Sequence, residues 1–242
     1  MPEVIYRDLG EIAYDDAWKY QEELMQHILD AKKAWYASSE IGVKEMPQLQ
    51  DYLLFCTHPN VYTLGKSGHM DNLLIGDDEM KELNVSFYKT NRGGDITYHG
   101  PGQIVGYPIF DLEHYGTDLG KYMRNLEEVM IRMLRNYSIE AGRLPGSTGV
   151  WLDPDNKQKA RKICAMGVRC SRWVTMHGFA LNVNTNLSYF NHIIPCGITD
   201  KAVTSMGKEL GRDIDTNEVK EILKHEFSAV FQANIVEEVL NV

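Results

Sequence analysis

The chain has 242 residues, of which 43% are hydrophobic and 24% charged, and its formal net charge is −9. This is ordinary for a globular protein, and the length fits one large domain or two small ones. It excludes a disordered chain, a disulfide scaffold (there are four cysteines), a membrane-spanning helix and a general nucleic-acid binder, which needs a basic surface.

The first periodic segment covers residues 13–37, with Trp18, Met25, Ile28 and Leu29 among its apolar positions and acids in its first turns. It predicts a long helix. No apolar h-region precedes it, so a cytoplasmic enzyme with reduced cysteines is expected. Residues 38–50 read as a loop, 52–56 as a buried strand, 58–60 as a turn and 61–64 as a second strand. Residues 65–76 are loop-like, and 85–89 alternate as a strand does. Residues 92–103, RGGDITYHGPGQ, and 104–110, IVGYPIF, read as two strands joined by a tight Gly-Pro-Gly turn.

Residues 118–138 form the second long helix, with Leu119, Tyr122, Met123, Leu126, Val129, Met130, Met133 and Leu134 on one broad face. Strands follow at 149–152, 162–169 and 174–183. A last helix, 217–232, carries Val219, Ile222, Leu223, Phe227, Val230 and Phe231 inward, with Asp215 or Thr216 as its cap. There is no regular βαβ rhythm. The expected fold is α+β, a mixed and mostly antiparallel sheet with packed helices.

The charge is unevenly spread. Residues 156–199 contain no Asp or Glu but hold Lys157, Lys159, Arg161, Lys162, Arg169 and Arg172. Such asymmetry steers acidic partners, or it marks a strand-rich core with little room for acids.

Cys196 lies in IIPCGI, residues 193–198. Pro195 fixes its own φ and Gly197 permits a sharp turn, which is how a thiol is presented at a pocket mouth. The alternative is a small buried hydrophobe. Cys56, Cys164 and Cys170 read as structural. No C-x-x-C occurs, and the spacing of His192 and Cys196, with His177 and Cys170 as partners, is a weak metal pattern. A thiolate needs a base or a nearby positive charge, and three candidates stand out: His99, His177 and Lys162. Lys162 leads into an apolar strand, where desolvation would lower its pKa and make it a base. The alternatives are a solvent-facing lysine and two hydrogen-bonded sheet histidines. Gly93, Gly94, Gly100, Gly102, Gly167 and Gly178 surround these residues and let a ligand approach the backbone. Gly65, Lys66 and Ser67 mimic the end of a phosphate loop, but Asn60 stands where its first glycine is required.

Five segments in order resemble the lipoyl(octanoyl) transferases of lipoate biosynthesis. They are HPNVYTLG (58–65), RGGDITYHGPGQ (92–103), KICAMGVR (162–169), HGFALN (177–182) and PCG (195–197). The resemblance implies one catalytic domain over residues 1–242, with a fold related to the biotin- and lipoate-protein ligases. It implies transfer of an octanoyl group from acyl carrier protein to a lysine of lipoyl domains, those of 2-oxo acid dehydrogenases and the glycine cleavage H protein. Cys196 matches the nucleophile and Lys162 the lysine that lowers its pKa. Arg92, Gly93, Gly94, Asp95, Ile96, Thr97, Tyr98, His99, Ala165, Met166, Gly167, Gly178, Phe179 and Ala180 match segments lining the acyl site. No metal or ATP is implied, and a monomer is expected. Asn60 replaces a common proline, Lys66 a common arginine, and the stretch at 38–50 is longer than usual. Rival readings are an ATP-dependent lipoate or biotin ligase, a non-catalytic acyl-binding protein on the same fold and a papain-like hydrolase, the last leaving the glycine-rich segment without a role.

Overall fold

The computed structural model describes residues 1–39, 49–194 and 202–238. Cys196, Pro195 and Gly197 therefore lie outside the described residues, as does most of the predicted 38–50 loop. In chain order the elements are β1 (Glu3–Glu11), α1 (Tyr14–Ser39), β2 (Asp51–Thr57), β3 (Val61–Leu64), α2 (Asp77–Glu82), β4 (Ser86–Lys89), β5 (Ile96–His99) and β6 (Gln103–Ile109). Then come α3 (Leu119–Arg135), β7 (Gly142–Leu144), β8 (Ser147–Leu152), β9 (Arg161–Ser171), β10 (Val174–Asn182), β11 (Ala202–Val203), α4 (Met206–Leu210), α5 (Thr216–Phe231) and β12 (Asn234–Glu237).

Among the described residues a large sheet runs β12-β1-β2-β6-β10-β9-β8-β7, with β11 alongside β9, and a small sheet runs β4-β3-β5. From β2 to β7 every neighbouring pair is antiparallel. The expected class, α+β with a mostly antiparallel sheet, is what the chain forms. The predicted strands and long helices are present within a few residues. Asp215 caps α5, its side chain accepting from the Asn217 N–H at 2.8 Å, and Asp118 caps α3 through the Lys121 N–H at 2.9 Å.

Side-chain alternation divides the core. Leu53, Phe55, Ile104, Phe179 and Leu181 face α3 and α5, where Leu126, Met130, Leu223 and Phe227 are buried. Leu54, Cys56, Val105, Tyr107 and Ala180 face α1, with Ala17, Met25 and Ile28.

Besides the short elements α2, β7, β11, α4 and β12, which the sequence reading does not contain, two larger features depart from it. β1 was not expected, because Arg7 and Asp8 break its apolar pattern; Val4 and Tyr6 nevertheless enter the core and β1 pairs in parallel with both β2 and β12. The second is the glycine-rich middle. β5 and β6 are joined by the Gly-Pro-Gly turn, yet they do not form a hairpin. β5 pairs with β3 in the small sheet, and β6 enters the large sheet between β2 and β10. The turn thus carries the chain from one sheet to the other, and a cavity opens between them.

Candidate active site

A cavity of about 420 Å³ lies between the sheets, within the roughly 300–1,000 Å³ of small-molecule sites. Its floor is the centre of the large sheet. In the β9–β10 register Ala165 faces Ala180 and Gly167 faces Gly178, and Val105 lies beside Ala180 on β6. Four residues with at most one side-chain carbon leave this patch flat and apolar. Gly167 has a further reason to be glycine: a Cβ there would lie 2.7 Å from the Gly93 carbonyl oxygen. The roof loop rests directly on the strand at this point, and the Gly93 N–H donates to the Val168 carbonyl at 2.9 Å.

The roof is the loop at residues 92–95 and strand β5. The backbone after β3 holds the loop: Gly65, Lys66 and Ser67 N–H groups donate to the carbonyls of Asp95, Arg92 and Gly94. The Asp95 carboxylate accepts from its neighbour Ile96 N–H at 2.7 Å and from Asn72 at 2.6 Å, so it shapes the loop. Buried Arg92 donates to the Thr63 carbonyl at 2.6 Å, the Thr63 hydroxyl at 2.9 Å and the Gly93 carbonyl at 3.0 Å.

Donor and acceptor roles fix a chain of bonds behind the roof. Asn182 donates to the Thr204 carbonyl at 3.0 Å, and Gln103 donates to Asn182 Oδ1 at 2.9 Å and to the Tyr98 carbonyl at 3.2 Å. The Gln103 amide oxygen is thereby left to accept from His99 Nδ1 at 2.9 Å. His99 Nε2 then accepts from the Thr63 hydroxyl at 3.3 Å. Burial first, then the nearby His58, pushes the His99 pKa down to about 3. His99 is neutral, with both nitrogens engaged, and is no general base.

His177 is a second sequence candidate. Its φ is +58°, a left-handed conformation rare within a strand. Its N–H donates to Gln21 on α1 at 2.9 Å and its Nε2 donates to Asn91 Oδ1 at 2.7 Å. Burial lowers its pKa to about 3, helped by Arg92 and Arg169. It joins α1, β10 and the start of the roof loop as a neutral ring.

Lys162 is the third candidate, and it lines the cavity near the start of β9. A register shift between Val150 and Trp151 puts Trp151 opposite Lys162, and Lys162 Nζ sits 4.7 Å from the centre of the Trp151 ring. Gly149, at φ +113°, passes this point where a Cβ would be 2.5 Å from the Cys164 carbonyl and 3.5 Å from Lys162 Cε. Glu127 on α3 holds the Gly149 N–H at 3.1 Å.

The structure brings most of the named segments together: Arg92, Gly93, Gly94, Asp95, Ile96, Thr97, His99, Lys162, Ala165, Met166, Gly167, Gly178, Phe179 and Ala180 all line the cavity. Tyr98 does not. It packs with Tyr62 and Phe190 in the small sheet's own core, where its hydroxyl donates to Asn60 Oδ1 at 2.8 Å and its ring stacks on Tyr189 at 4.9 Å. Cys56 and Cys164 are fully buried, and burial pushes both thiols well above their usual range. Among the described residues no group of three or more His, Cys, Asp or Glu could hold a metal.

Tyr14, Tyr107, Gln103, Asn182 and Met123 also line the cavity and were missed as site residues. Gln103 closes the glycine-rich motif and Asn182 the HGFALN segment, so both sat beside a signal. Met123 read as a helix-face residue, and Tyr14 lay in the first predicted helix without being singled out. Tyr14 opens α1 and stacks on His99 at 5.9 Å. Tyr107 donates to His58 Nε2 at 2.7 Å, since His58 Nδ1 must donate to the Ile12 carbonyl.

Among the described residues, two of the six basic residues of the window pair with acids. Arg161 pairs with Asp153 and Glu209, and Arg169 with Glu22 at 3.7 Å. Exposed Lys157 and Lys159 precede β9, while Arg172 lies beyond its far end, roughly 35 Å away by strand rise. They do not form one face.

A sequence model of the lipoyl protein ligase A/B catalytic domain matches residues 13–228. A protein named octanoyltransferase from Flavobacterium johnsoniae is 56% identical over 232 residues, covering 95% of this chain and 97% of its own. One of the same name from Cytophaga hutchinsonii is 50% identical over 232 residues, covering 96% and 94%. Among solved structures, the bipartite lipoate protein ligase of Thermoplasma acidophilum, described with its E2 lipoyl domain, superposes with a TM-score of 0.66 at 16% identity, covering 99% of this chain and 87% of that one.

Proposed function

We infer the function from a premise: this chain belongs to the lipoyl protein ligase A/B catalytic-domain family, with its octanoyltransferases as near relatives. It is an acyltransferase. It moves an octanoyl group from acyl carrier protein to a lysine of a lipoyl domain, through a thioester on Cys196. Acceptors are the lipoyl domains of 2-oxo acid dehydrogenases and the glycine cleavage H protein. The protein acts as a cytoplasmic, single-domain monomer without a cofactor.

One observation carries the reading: Lys162 stands at the end of a cavity whose floor is bare of large side chains. An acyl chain lies on that floor with its carbonyl toward Lys162. The Cys196 thiolate attacks the carrier thioester; the new C–S bond forms as the carrier sulfur leaves and takes up a proton. The acceptor amine then attacks the acyl-enzyme, the Cys196 sulfur leaves, and an amide forms. Lys162 assists the Cys196 thiolate and passes the protons. His99 and His177 are too firmly neutral to share this role. The two steps let the protein receive two large partners in turn.

The test is intact mass spectrometry after mixing with octanoyl-acyl carrier protein, without ATP or acceptor. One octanoyl adduct on Cys196 that leaves when a lipoyl domain is added establishes the reading. Labelling of the lipoyl domain only with free octanoate and ATP would make the chain a ligase.

A further inference from the structure

The cavity's two ends differ. Lys162 marks one end. The other lies about five residues along β9, near Gly167 and Gly178, roughly 16 Å away at strand rise. There Tyr14 at the start of α1 and Tyr107 on β6 line the cavity beside the glycines of the large sheet. Tyr107 uses its hydroxyl on His58. Tyr14 is 97% buried by its ring contacts, being 3% exposed, but its hydroxyl has no hydrogen-bond partner among the described residues. Burial keeps this hydroxyl protonated, with its pKa pushed up to about 12.

We propose that the Tyr14 hydroxyl is the chain-length gauge of the acyl channel. An eight-carbon tail is roughly 9 Å from carbonyl carbon to methyl; with about 3 Å from the carbonyl to Lys162 Nζ and about 4 Å of contact distance beyond the methyl it fills the roughly 16 Å, covering the apolar floor and stopping short of this hydroxyl, which stays hydrated. Each further pair of methylenes pushes apolar surface against it and strips its water, leaving a buried donor unpaired. Selection is therefore made by a polar end wall. This inference rests on the acyl-transfer reading for the position of the carbonyl.

The experiment measures binding of octanoate, decanoate and dodecanoate to the full chain by calorimetry, beside acyl-enzyme formation from the three matching acyl carrier proteins. The unaltered protein should favour octanoate over decanoate about tenfold. Tyr14→Phe, which removes one oxygen, should narrow that ratio to near one in both measurements, and Tyr14→Leu should extend acceptance to dodecanoate. A decanoate-to-octanoate ratio unchanged in both variants overturns the gauge, as does an equal loss for every length. If no adduct forms at any length but the binding ratios shift as stated, the gauge stands and the thioester reading fails.

Discussion

The floor and the roof of the cavity solve one problem in opposite ways. The floor, Ala165, Gly167, Gly178 and Ala180, makes room by lacking side chains, and regular strand pairing holds it. The roof, from Arg92 to His99, is polar, and its groups are tied to each other and to the strands behind it. An apolar ligand therefore meets few unpaired polar atoms on either wall. A surface becomes apolar in effect either by having no polar groups or by satisfying them internally.

The largest effect should come where the walls meet. Lys162→Ala should slow acyl-enzyme formation by about 10²–10⁴-fold, the usual worth of a general acid–base group. Rapid mixing with octanoyl-acyl carrier protein and mass analysis would check it, and near-normal rates would remove Lys162 from the chemistry.

Acid should loosen the buried histidines that tie the two walls together, His99 in the roof, His177 on β10 and His58 after β2. His58, His99 and His177 have pKa values lowered to about 4, 3 and 3 by burial, whereas in the unfolded chain a histidine titrates near 6.5. The unfolded state therefore binds more protons below that value. Stability is intact above pH 6.5 and falls as pH drops toward 4, by about 1.4 kcal/mol per pH unit for each ring. Thermal midpoints from pH 7.5 to 4.5 should show this, and replacing His99 by Gln should flatten the slope.

A floor change and a roof change can then be set side by side. Gly167→Val places a side chain where the Gly93 carbonyl already lies; it should lower stability by about 1–3 kcal/mol and lift the roof, abolishing octanoate binding. Gln103→Leu leaves His99 Nδ1 and Asn182 Oδ1 without their partner; it should lower stability by about 1–3 kcal/mol while weakening binding less. Chemical denaturation and calorimetry on both variants would separate the two walls. The smallest effect belongs to the surface: reversing Lys157 and Lys159 should raise KM for the carrier a few-fold and reduce its salt dependence, while reversing Arg172, at the far end of β9, should not.

Much of this was legible in the chain. Apolar periodicity located α1, α3, α5 and the central strands, because burial of one face is a local pattern. Three of the five motifs, at 92–103, 162–169 and 177–182, located 18 of the 27 described cavity residues, because glycines and paired polar groups recur where backbone must approach backbone. What the chain left open needed contacts between distant residues. β1 is a strand because β2 and β12 flank it. The glycine-rich segment is a crossing between sheets, not a hairpin, because β3 and β10 are better partners for its two strands. Tyr98 faces away because Tyr62, Tyr189 and Phe190 hold its ring in the small sheet's core. His99 and His177, open as bases from sequence, are neutral because of the side chains packed around them. Residue type determined which groups were capable of chemistry; burial and hydrogen-bond direction, which exist only after folding, decided which of them are available to perform it.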